Sequence, residues 1–410
     1  MDKITFRKII FNKAVIISSL GYFVDVFDLV LFGIVRVSSL HSLGVQDSEM
    51  IQVGIQLLNW QMAGLLLGGL VWGYLADRIG RTKVLYGSIF IYSIANLANG
   101  FVTTIPVYTI LRFISGFGLA GELGVAVTLV SEQLPITKRS IGSAIIGIFG
   151  FLGAICAALL GSFISWNNSY IVGGILGLLL LVARIKVNES ELFLHYKKKI
   201  QKNNVSIFST ILNLKRLSKF VLCILVGVPI WYISGLLIYF SSEFAKELGI
   251  LTPVLNSKAI FWSYLGSMIG DPLASLFSQI LQSRKKGIFI FIILSALFIS
   301  SYFFIPKQSS DLLFYFICFL LGIANGYWTL FVTMISEQFG TNIRATITTS
   351  IPNLVRGIVI PLTLVFLSLK DKFGQLNSAL AIGFICIFLA LISLANLSET
   401  FNKNLDYIET

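Results

Sequence analysis

The chain has 410 residues, of which 56% are hydrophobic and only 12% are charged. A soluble domain carries about 25% charged residues, so this composition excludes an ordinary soluble globular protein and indicates a membrane protein. The formal net charge of +12 does not indicate a nucleic-acid surface, because no basic patch is interleaved with stacking aromatic residues.

Long apolar stretches recur along the whole chain. A transmembrane helix needs about 20 mostly apolar residues, and these stretches are too long and too continuous for barrel strands, which alternate. They predict an all-α membrane protein with twelve transmembrane helices. The predicted spans are roughly 14–36, 52–76, 84–103, 106–130, 140–163, 169–185, 219–241, 258–281, 287–305, 312–335, 345–369 and 376–396.

Most of the 31 Lys and Arg residues lie in segments on one side of these spans. They fall mainly in residues 3–13, 78–83, 138–139, 184–219 and 284–286. Because cytoplasmic loops carry the basic excess, both termini are expected in the cytoplasm of a multi-pass protein of the bacterial inner membrane. A long polar stretch, residues 186–218, interrupts the apolar runs. It predicts an N-terminal bundle (1–185), a cytoplasmic linker (186–218) and a C-terminal bundle (219–410).

The first two spans carry polar stripes at helical spacing. In the first, Gly21, Asp25, Asp28 and Phe32 share one helix face. Charged groups in a span are costly and usually face a cavity, and burial favours the protonated form of a carboxylate, which suits proton coupling. The second span carries the uncharged stripe Gln52, Gln56 and Asn59, which suits either a wet cavity wall or interhelical hydrogen bonds.

The loop after the second span carries a dense motif. It reads Gly73-Tyr74-Leu75-Ala76-Asp77-Arg78-Ile79-Gly80-Arg81-Thr82-Lys83. This stretch resembles the signature loop of the major facilitator superfamily, G-x-L-A-D-R-x-G-R-x-K. The resemblance implies a gating loop built on Gly73, Asp77, Arg78, Gly80 and Arg81.

The fourth span reads R-F-I-S-G-F-G-L-A-G-E from Arg112 to Glu122. Its glycines do not form a dinucleotide site, because no strand precedes them. Together with Asp25-Val26-Phe27-Asp28 in the first span, it resembles the metabolite:proton symporter branch of the same superfamily, with sugar-porter-like first and fourth helices. The resemblance implies that protonation breaks an Asp28–Arg112 pair during coupling, and the proton-coupling set is Asp25, Asp28, Arg112 and Glu122. A static ion pair between the two helices is the alternative.

A polar cluster recurs 205 residues along the chain. Glu132 and Arg139 near the fifth span are matched by Glu337 and Arg344 near the eleventh, within the repeated Ser-Glu-Gln sequence. A repeat at half the chain length predicts two six-helix bundles of the same orientation, a parallel repeat. These four residues join the gating set.

The second half places Asp271 and Arg356 inside spans next to prolines, which bend helices at transporter sites. Arg356 is expected to hold an anionic substrate group with Asp271 as its resting partner, and a permanent Asp271–Arg356 bridge is the alternative. Other polar and aromatic side chains of the spans are expected either to line the same cavity or to pack between helices. They are Asn353, Trp231, Tyr232, Asn325, Tyr327 and Trp328.

The function expected is a proton-coupled secondary transporter that moves a small, anionic or carboxylate-bearing metabolite by alternating access. A proton-driven exporter of a siderophore, drug or metabolite with the same fold is the alternative. No His-rich, metal-spaced or nucleophile–base set indicates an enzyme, a metal or a cofactor. The partners expected are the small-molecule substrate, protons and the lipid bilayer, with a functional monomer and no nucleic acid.

Overall fold

The computed structural model describes residues 12–122, 124–126, 129–130, 139–184, 214–339 and 344–403. All regular structure in these ranges is helical, as predicted. The helices are α1 (Lys13–Ser42), α2 (Met50–Ile79), α3 (Arg81–Asn99), α4 (Ile105–Leu119), α5 (Arg139–Phe163), α6 (Trp166–Arg184), α7 (Leu214–Tyr232), α8 (Ser241–Glu247), α9 (Asn256–Ile280), α10 (Arg284–Phe303), α11 (Asp311–Asn325), α12 (Trp328–Gln338), α13 (Arg344–Gly357), α14 (Val359–Phe373) and α15 (Gln375–Asn396).

Within the described ranges, ten helical segments are long and apolar enough to cross a membrane. The other two predicted spans are α3 and α9, which bury polar side chains such as Asn96 and Asp271. The end of α6 that carries Arg184 lies against the first turns of α3, which begins at Arg81, because Tyr86 donates to the carbonyl of Arg184. We call this side, on which α10 also begins at Arg284, the basic face, and the other side the opposite face. On the basic face, Glu399 holds the chain after α15 against the first turn of α10.

Several spans are interrupted near their middle. A π-helical segment, Ile233–Ile238, continues α7 beyond the internal Pro229. α11 and α12 form one span that breaks at Gly326 and Tyr327, and α13 and α14 form another that contains Pro352. Proline removes a backbone hydrogen bond and bends a helix, so these breaks expose polar backbone where a membrane protein tolerates it, around an internal cavity.

Helix packing follows the same plan in both halves. α1 packs on α5, α2 on α4 and α3 on α6; their counterparts are α7 on α13, α9 on α11 and α10 on α15. Between the halves, α2 packs on α13 and α5 packs on α9. In the repeat, α2 corresponds to α9 and α13 corresponds to α5, so the α2–α13 contact is equivalent to the α9–α5 contact. This equivalence is expected of two six-helix bundles related by a parallel repeat.

Glycines bring matched helix pairs into backbone contact. A Cβ on Gly64 of α2 would lie 2.1 Å from the carbonyl oxygen of Phe113, and one on Gly266 of α9 would lie 2.1 Å from that of Phe319. Small residues permit this approach within a membrane. The contact therefore recurs at equivalent places in the two halves and fixes the helices that border the interface.

Candidate functional site

A cavity lies between the two halves near the middle of the spans. About 500 Å³ of space there is not filled by protein atoms, a volume that includes open solvent. Helices of both halves contribute to its wall, which is lined by Tyr22, Val26, Leu29, Gly150, Phe151, Ile230, Trp231, Ser234, Tyr264, Ser267, Asn325, Trp328 and Arg356. Among these lining residues, Arg356 carries the only charge, and aromatic rings dominate the remainder. The arrangement suits a small anion with an apolar or planar body.

Arg356 is the cation of this cavity and is 2% exposed. Its guanidinium lies 5.9 Å from the ring centre of Trp231 and 6.0 Å from that of Trp328. It also donates to Asn353 Oδ1 at 3.4 Å. Two indole rings and one amide therefore hold the guanidinium in a fixed place at the wall.

The ion-pair partner of Arg356 is Asp25, from the other half. Arg356 Nη2 lies 3.8 Å from Asp25 Oδ2, and Asp25 is fully buried. The predicted pairing with Asp271 is wrong, because Asp271 Oδ1 accepts the backbone N–H of Thr329 at 2.8 Å and so caps the start of α12. The pair at the cavity therefore joins the first span to the eleventh, across the interface between the halves.

The other predicted cavity residues fall into two groups. Trp231, Asn325 and Trp328 line the cavity, as predicted. Tyr232 and Tyr327 instead donate to the carbonyl oxygens of Ala379 and Val226. Their hydroxyl groups therefore serve packing within the second half.

Asn353 and the polar stripe of α2 make interhelical contacts. Asn353 Nδ2 donates to the carbonyl of Ala120 in the first half at 3.2 Å. Asn59 Oδ1 accepts from Thr363 at 2.8 Å, again across the halves, whereas Gln52 and Gln56 are exposed. The interhelical interpretation of the stripe holds for Asn59, and none of the three stripe residues lines the cavity.

Asp28 and Arg112 are both 0% exposed and lie within the first bundle. Their predicted ion pair is not formed here, since no N···O distance between them is within 4.0 Å, and all their charged atoms lack a well-formed hydrogen bond within the described part of the chain. The Arg112 guanidinium lies over the rings of Phe32 at 5.2 Å and Tyr170 at 5.5 Å. A buried carboxylate and a buried guanidinium without an ion pair are costly, and charged residues within a span usually mark a functional pathway.

Glu122 has a partner that sequence reasoning missed. Its two carboxylate oxygens face Nη1 and Nη2 of Arg184 at 3.2 and 2.9 Å, and Ser88 donates to it at 2.9 Å. Gly21 of α1 lies against this pair, because a Cβ there would be 1.9 Å from Arg184 Nη2. The glycine of the predicted stripe therefore leaves room for a buried ion pair that joins the fourth and sixth spans to the first.

A second missed contact closes the opposite face. Arg36 at the end of α1 is 0% exposed, and its Nη2 lies 2.6 and 2.7 Å from the two carboxylate oxygens of Glu243 on α8. The guanidinium also lies 4.3 Å from the ring centre of Phe240. Arg36 is the last residue of the first predicted span, and a single charge at the end of a span does not reveal whether it points inward.

Loss of the Arg36–Glu243 pair should open the opposite face. Glu243→Gln leaves Arg36 without its anion, and a hydrogen bond to a charged group contributes about 1.5–3 kcal/mol. We expect an impermeant thiol reagent to label a Val26→Cys cavity cysteine at least about fivefold faster, in a background without the four native cysteines. Glu247→Gln, on the exposed side of the same short helix, should label at the parent rate, and equal rates in both variants would contradict the closure.

The predicted gating residues are described in part. Gly80 joins α2 to α3 with φ of 110°, a conformation that favours glycine, and Arg81 donates to the carbonyl of Ala76. A Cβ on Gly73 would meet nothing within 4 Å. Glu337 pairs with Arg284 at 3.1 Å, which links the repeated cluster to the basic loop of its own half. Glu132 and the side chains of Asp77, Arg78, Arg139 and Arg344 lie outside the described residues.

Comparison with known proteins agrees with this architecture. Residues 18–363 match the family model described as Major Facilitator Superfamily. The chain is 26% identical over 400 residues to the sialic acid transporter NanX of Escherichia coli, covering 93% of both chains. It is 30% identical over 188 residues to the 4-hydroxybenzoate transporter PcaK of Pseudomonas putida, covering 44% of this chain and 41% of that protein.

Further matches extend the comparison. The chain is 30% identical over 201 residues to a putative niacin/nicotinamide transporter NiaP of Bacillus subtilis, covering 47% and 49% of the two chains. The partially occluded inward-open xylose transporter XylE of E. coli superposes with a TM-score of 0.75 at 15% identity, over 96% of this chain and 99% of that one. At this identity the likeness shows the fold.

Proposed function

The chain belongs to the major facilitator superfamily, and from this premise we propose that it is a proton-coupled secondary transporter of a small carboxylate-bearing metabolite. The proposal includes a place in the bacterial inner membrane, with both termini in the cytoplasm and the basic face inward, because loops rich in Lys and Arg stay inside. It also keeps the bundle limits 1–185 and 219–410, the linker 186–218 and a monomer as the working unit.

The observation that carries the proposal is the position of Arg356. A guanidinium offers paired N–H donors that match a carboxylate, and this one borders the cavity between two indole rings. The names of three relatives support this chemistry, because sialic acid, niacin and 4-hydroxybenzoate carry a carboxylate, and one of these names also includes the neutral nicotinamide. A transported acid would place its carboxylate on Arg356 and its body among the rings.

The Asp25–Arg356 contact supplies a link between substrate and proton. A substrate carboxylate that binds Arg356 would compete with Asp25, because both anions are attracted to the same guanidinium. A carboxylate that loses its cation in a buried site is stabilised by taking a proton. Substrate binding to Arg356 would therefore favour proton uptake at Asp25, and Asp28 on the same helix is the second acceptor.

The two bundles would then rock about the cavity, which opens it to one face at a time. The Arg36–Glu243 pair would close the outer face while the inner face admits or releases substrate. The direction of net transport follows the proton gradient, so the proposed direction is uptake. Export by the same cycle is the outcome to be tested against it.

The test uses purified protein in liposomes with an acidic exterior. Radiolabelled sialic acid, nicotinate and 4-hydroxybenzoate are offered separately, and nicotinamide and 4-hydroxybenzamide serve as neutral counterparts. We expect accumulation of at least one acid that collapses with a protonophore, and no accumulation of its amide. Accumulation of an amide equal to its acid would remove the carboxylate site, and accumulation that ignores the protonophore would remove the coupling.

A further inference from the structure

A row of hydroxyl groups crosses the first bundle from the opposite face toward Asp28. Ser39 lies one turn before the end of α1, and its Oγ lies 3.4 Å from Tyr108 Oη. Tyr108 Oη lies 2.6 Å from Tyr170 Oη. All three side chains are 0% exposed, and none of them lines the central cavity. The row is therefore enclosed by protein and separate from the proposed substrate site.

The inner end of the row lies beside Asp28. Tyr170 and Gly173 share a face of α6, one turn apart. A Cβ on Gly173 would lie 2.4 Å from Asp28 Oδ1, so the carboxyl group rests against α6 next to Tyr170. The Arg112 guanidinium lies 5.5 Å from the Tyr170 ring centre on the same side. Asp28 and Arg112 thus both lie against the part of α6 that carries Tyr170.

Polar atoms without direct partners border the remaining gap. In the described ranges these include both oxygens of Asp28, the three side-chain nitrogens of Arg112 and Asn96 Nδ2. An unsatisfied buried polar group costs about 1–3 kcal/mol, and buried water commonly satisfies such groups where several of them converge. Water that bridges Tyr170 and Asp28 would satisfy these groups.

We propose that Tyr108 and Tyr170 relay protons between the opposite face and Asp28, along a route separate from the substrate cavity. The proposal rests on the proposed proton coupling. Each hydroxyl accepts a proton on an oxygen lone pair and releases its own proton to the next oxygen, so the relay leaves both side chains neutral and needs no oxidant or reductant. Tyr108 and Tyr170 act by passing a proton onward, and Ser39 positions the outer end.

The charged and titratable groups around Asp28 come from four helices. Arg112 faces it from α4, Asp25 from α1, Tyr92 from α3 and Tyr170 from α6. Of these neighbours, Tyr170 is hydrogen-bonded through Tyr108 toward the opposite face. A proton that enters from that face can thus reach Asp28 without passing Arg356.

Phenylalanine variants test the relay, because they remove a hydroxyl and keep the ring. Tyr108→Phe and Tyr170→Phe are compared with Tyr302→Phe, a buried tyrosine of the second bundle whose hydroxyl bonds only to the carbonyl of Leu237 among the described residues. The proteins are placed in liposomes that contain a pH-sensitive dye. Sialic acid, nicotinate and 4-hydroxybenzoate, each with its own label, are supplied together in acidic medium.

Both relay variants should lose at least about 100-fold in proton influx and uphill uptake, the lower end of the effect of removing a proton-transfer group. Exchange of labelled for unlabelled acid at equal pH needs no net proton movement and should stay within about twofold of wild type. Uptake by the variants should partly recover as the outer pH falls, because supply of protons then limits the rate. Tyr302→Phe should match wild type in all three measurements.

Two results would overturn the relay. Uptake and exchange that fall together would assign the tyrosines to packing, and uptake that stays at the wild-type rate would show that protons reach Asp28 by another route. Failure of the proposed function is separate and visible in the wild type alone. A wild type whose uptake ignores the pH gradient would overturn the coupling, and with it the relay, before any variant is compared.

Discussion

Asp28→Asn should abolish proton-driven accumulation and spare exchange. A pH difference of about one unit stores about 1.4 kcal/mol per proton, which supports about tenfold accumulation by a one-proton symporter. Asparagine keeps the size of the side chain but cannot take up a proton. The accumulation ratio should therefore fall from about ten to about one at this gradient, while labelled and unlabelled acid continue to exchange.

Two features of the site indicate that Asp28→Asn affects coupling and not folding. Asp28 is 0% exposed, and Arg112 lies near it without an ion pair. Replacement of the carboxyl group by an amide of the same size therefore breaks no ion pair seen here, so the fold should persist. A static interhelical ion pair predicts the reverse: Asp28→Asn would strand Arg112 and lower the melting temperature together with exchange.

The measurement is uptake of the accumulated acid in liposomes at two gradients, with thermal unfolding of the same preparations. Asp47→Asn is the control, because Asp47 lies in the exposed turn beyond α1. It should accumulate acid as the wild type does. Accumulation by Asp28→Asn at the wild-type ratio would remove Asp28 from the coupling.

Substitution of Arg356 should produce the second large effect, a selective loss of affinity for acids. A hydrogen bond to a charged group contributes about 1.5–3 kcal/mol, which corresponds to about 10- to 100-fold in Kd. Arg356→Gln should weaken binding of the acid by that factor and of its neutral amide by no more than about threefold. Equal losses for acid and amide would remove the carboxylate contact.

The Asp25 partner makes the result interpretable. Arg356→Gln alone strands Asp25 in a buried site, and breaking such a pair costs about 3–5 kcal/mol, so the double variant Asp25→Asn/Arg356→Gln serves as the stable comparison. Asp25→Asn alone frees Arg356 from its competitor. It should bind acids more tightly than wild type and with less dependence on pH, as measured by titration at two pH values.

An unchanged affinity in Asp25→Asn would contradict the competition between Asp25 and substrate. It would not contradict the contact between Arg356 and the substrate carboxylate, because that contact is tested by the Arg356→Gln variant. The Arg356→Gln and Asp25→Asn variants therefore test separately the binding of the acid and the coupling of that binding to the proton.

Much of the architecture is predictable from the sequence, because a bilayer leaves few options. Only helices or closed barrels satisfy their backbone in lipid, and the apolar runs are too long and continuous for barrel strands. The repeated Ser-Glu-Gln cluster indicates how the two halves are related. The buried positions of Asp25, Asp28, Arg112 and Arg356 follow from the cost of charge in a span.

Pairing was harder to predict than burial. Asp25 and Arg356 meet across the interface, and the choice between Asp25 and Asp271 depends on how the two bundles are placed, which helix periodicity does not specify. Arg36 and Arg184 lie near span ends, where charges usually belong to loops. Gly21 was the available signal for Arg184, because a glycine in a polar stripe marks a close approach.

The exchange of the two interfaces under the repeat has an energetic consequence. α2 on α13 and α5 on α9 are equivalent contacts, so tilting the bundles loosens one end of each and tightens the other with little net change in apolar contact. In the proposed cycle, the balance between outward- and inward-facing forms would then depend on polar contacts between the halves, such as the Arg36–Glu243 pair. A few side chains such as Arg36 and Glu243 would thereby set which of the two forms of the 410-residue protein has the lower free energy.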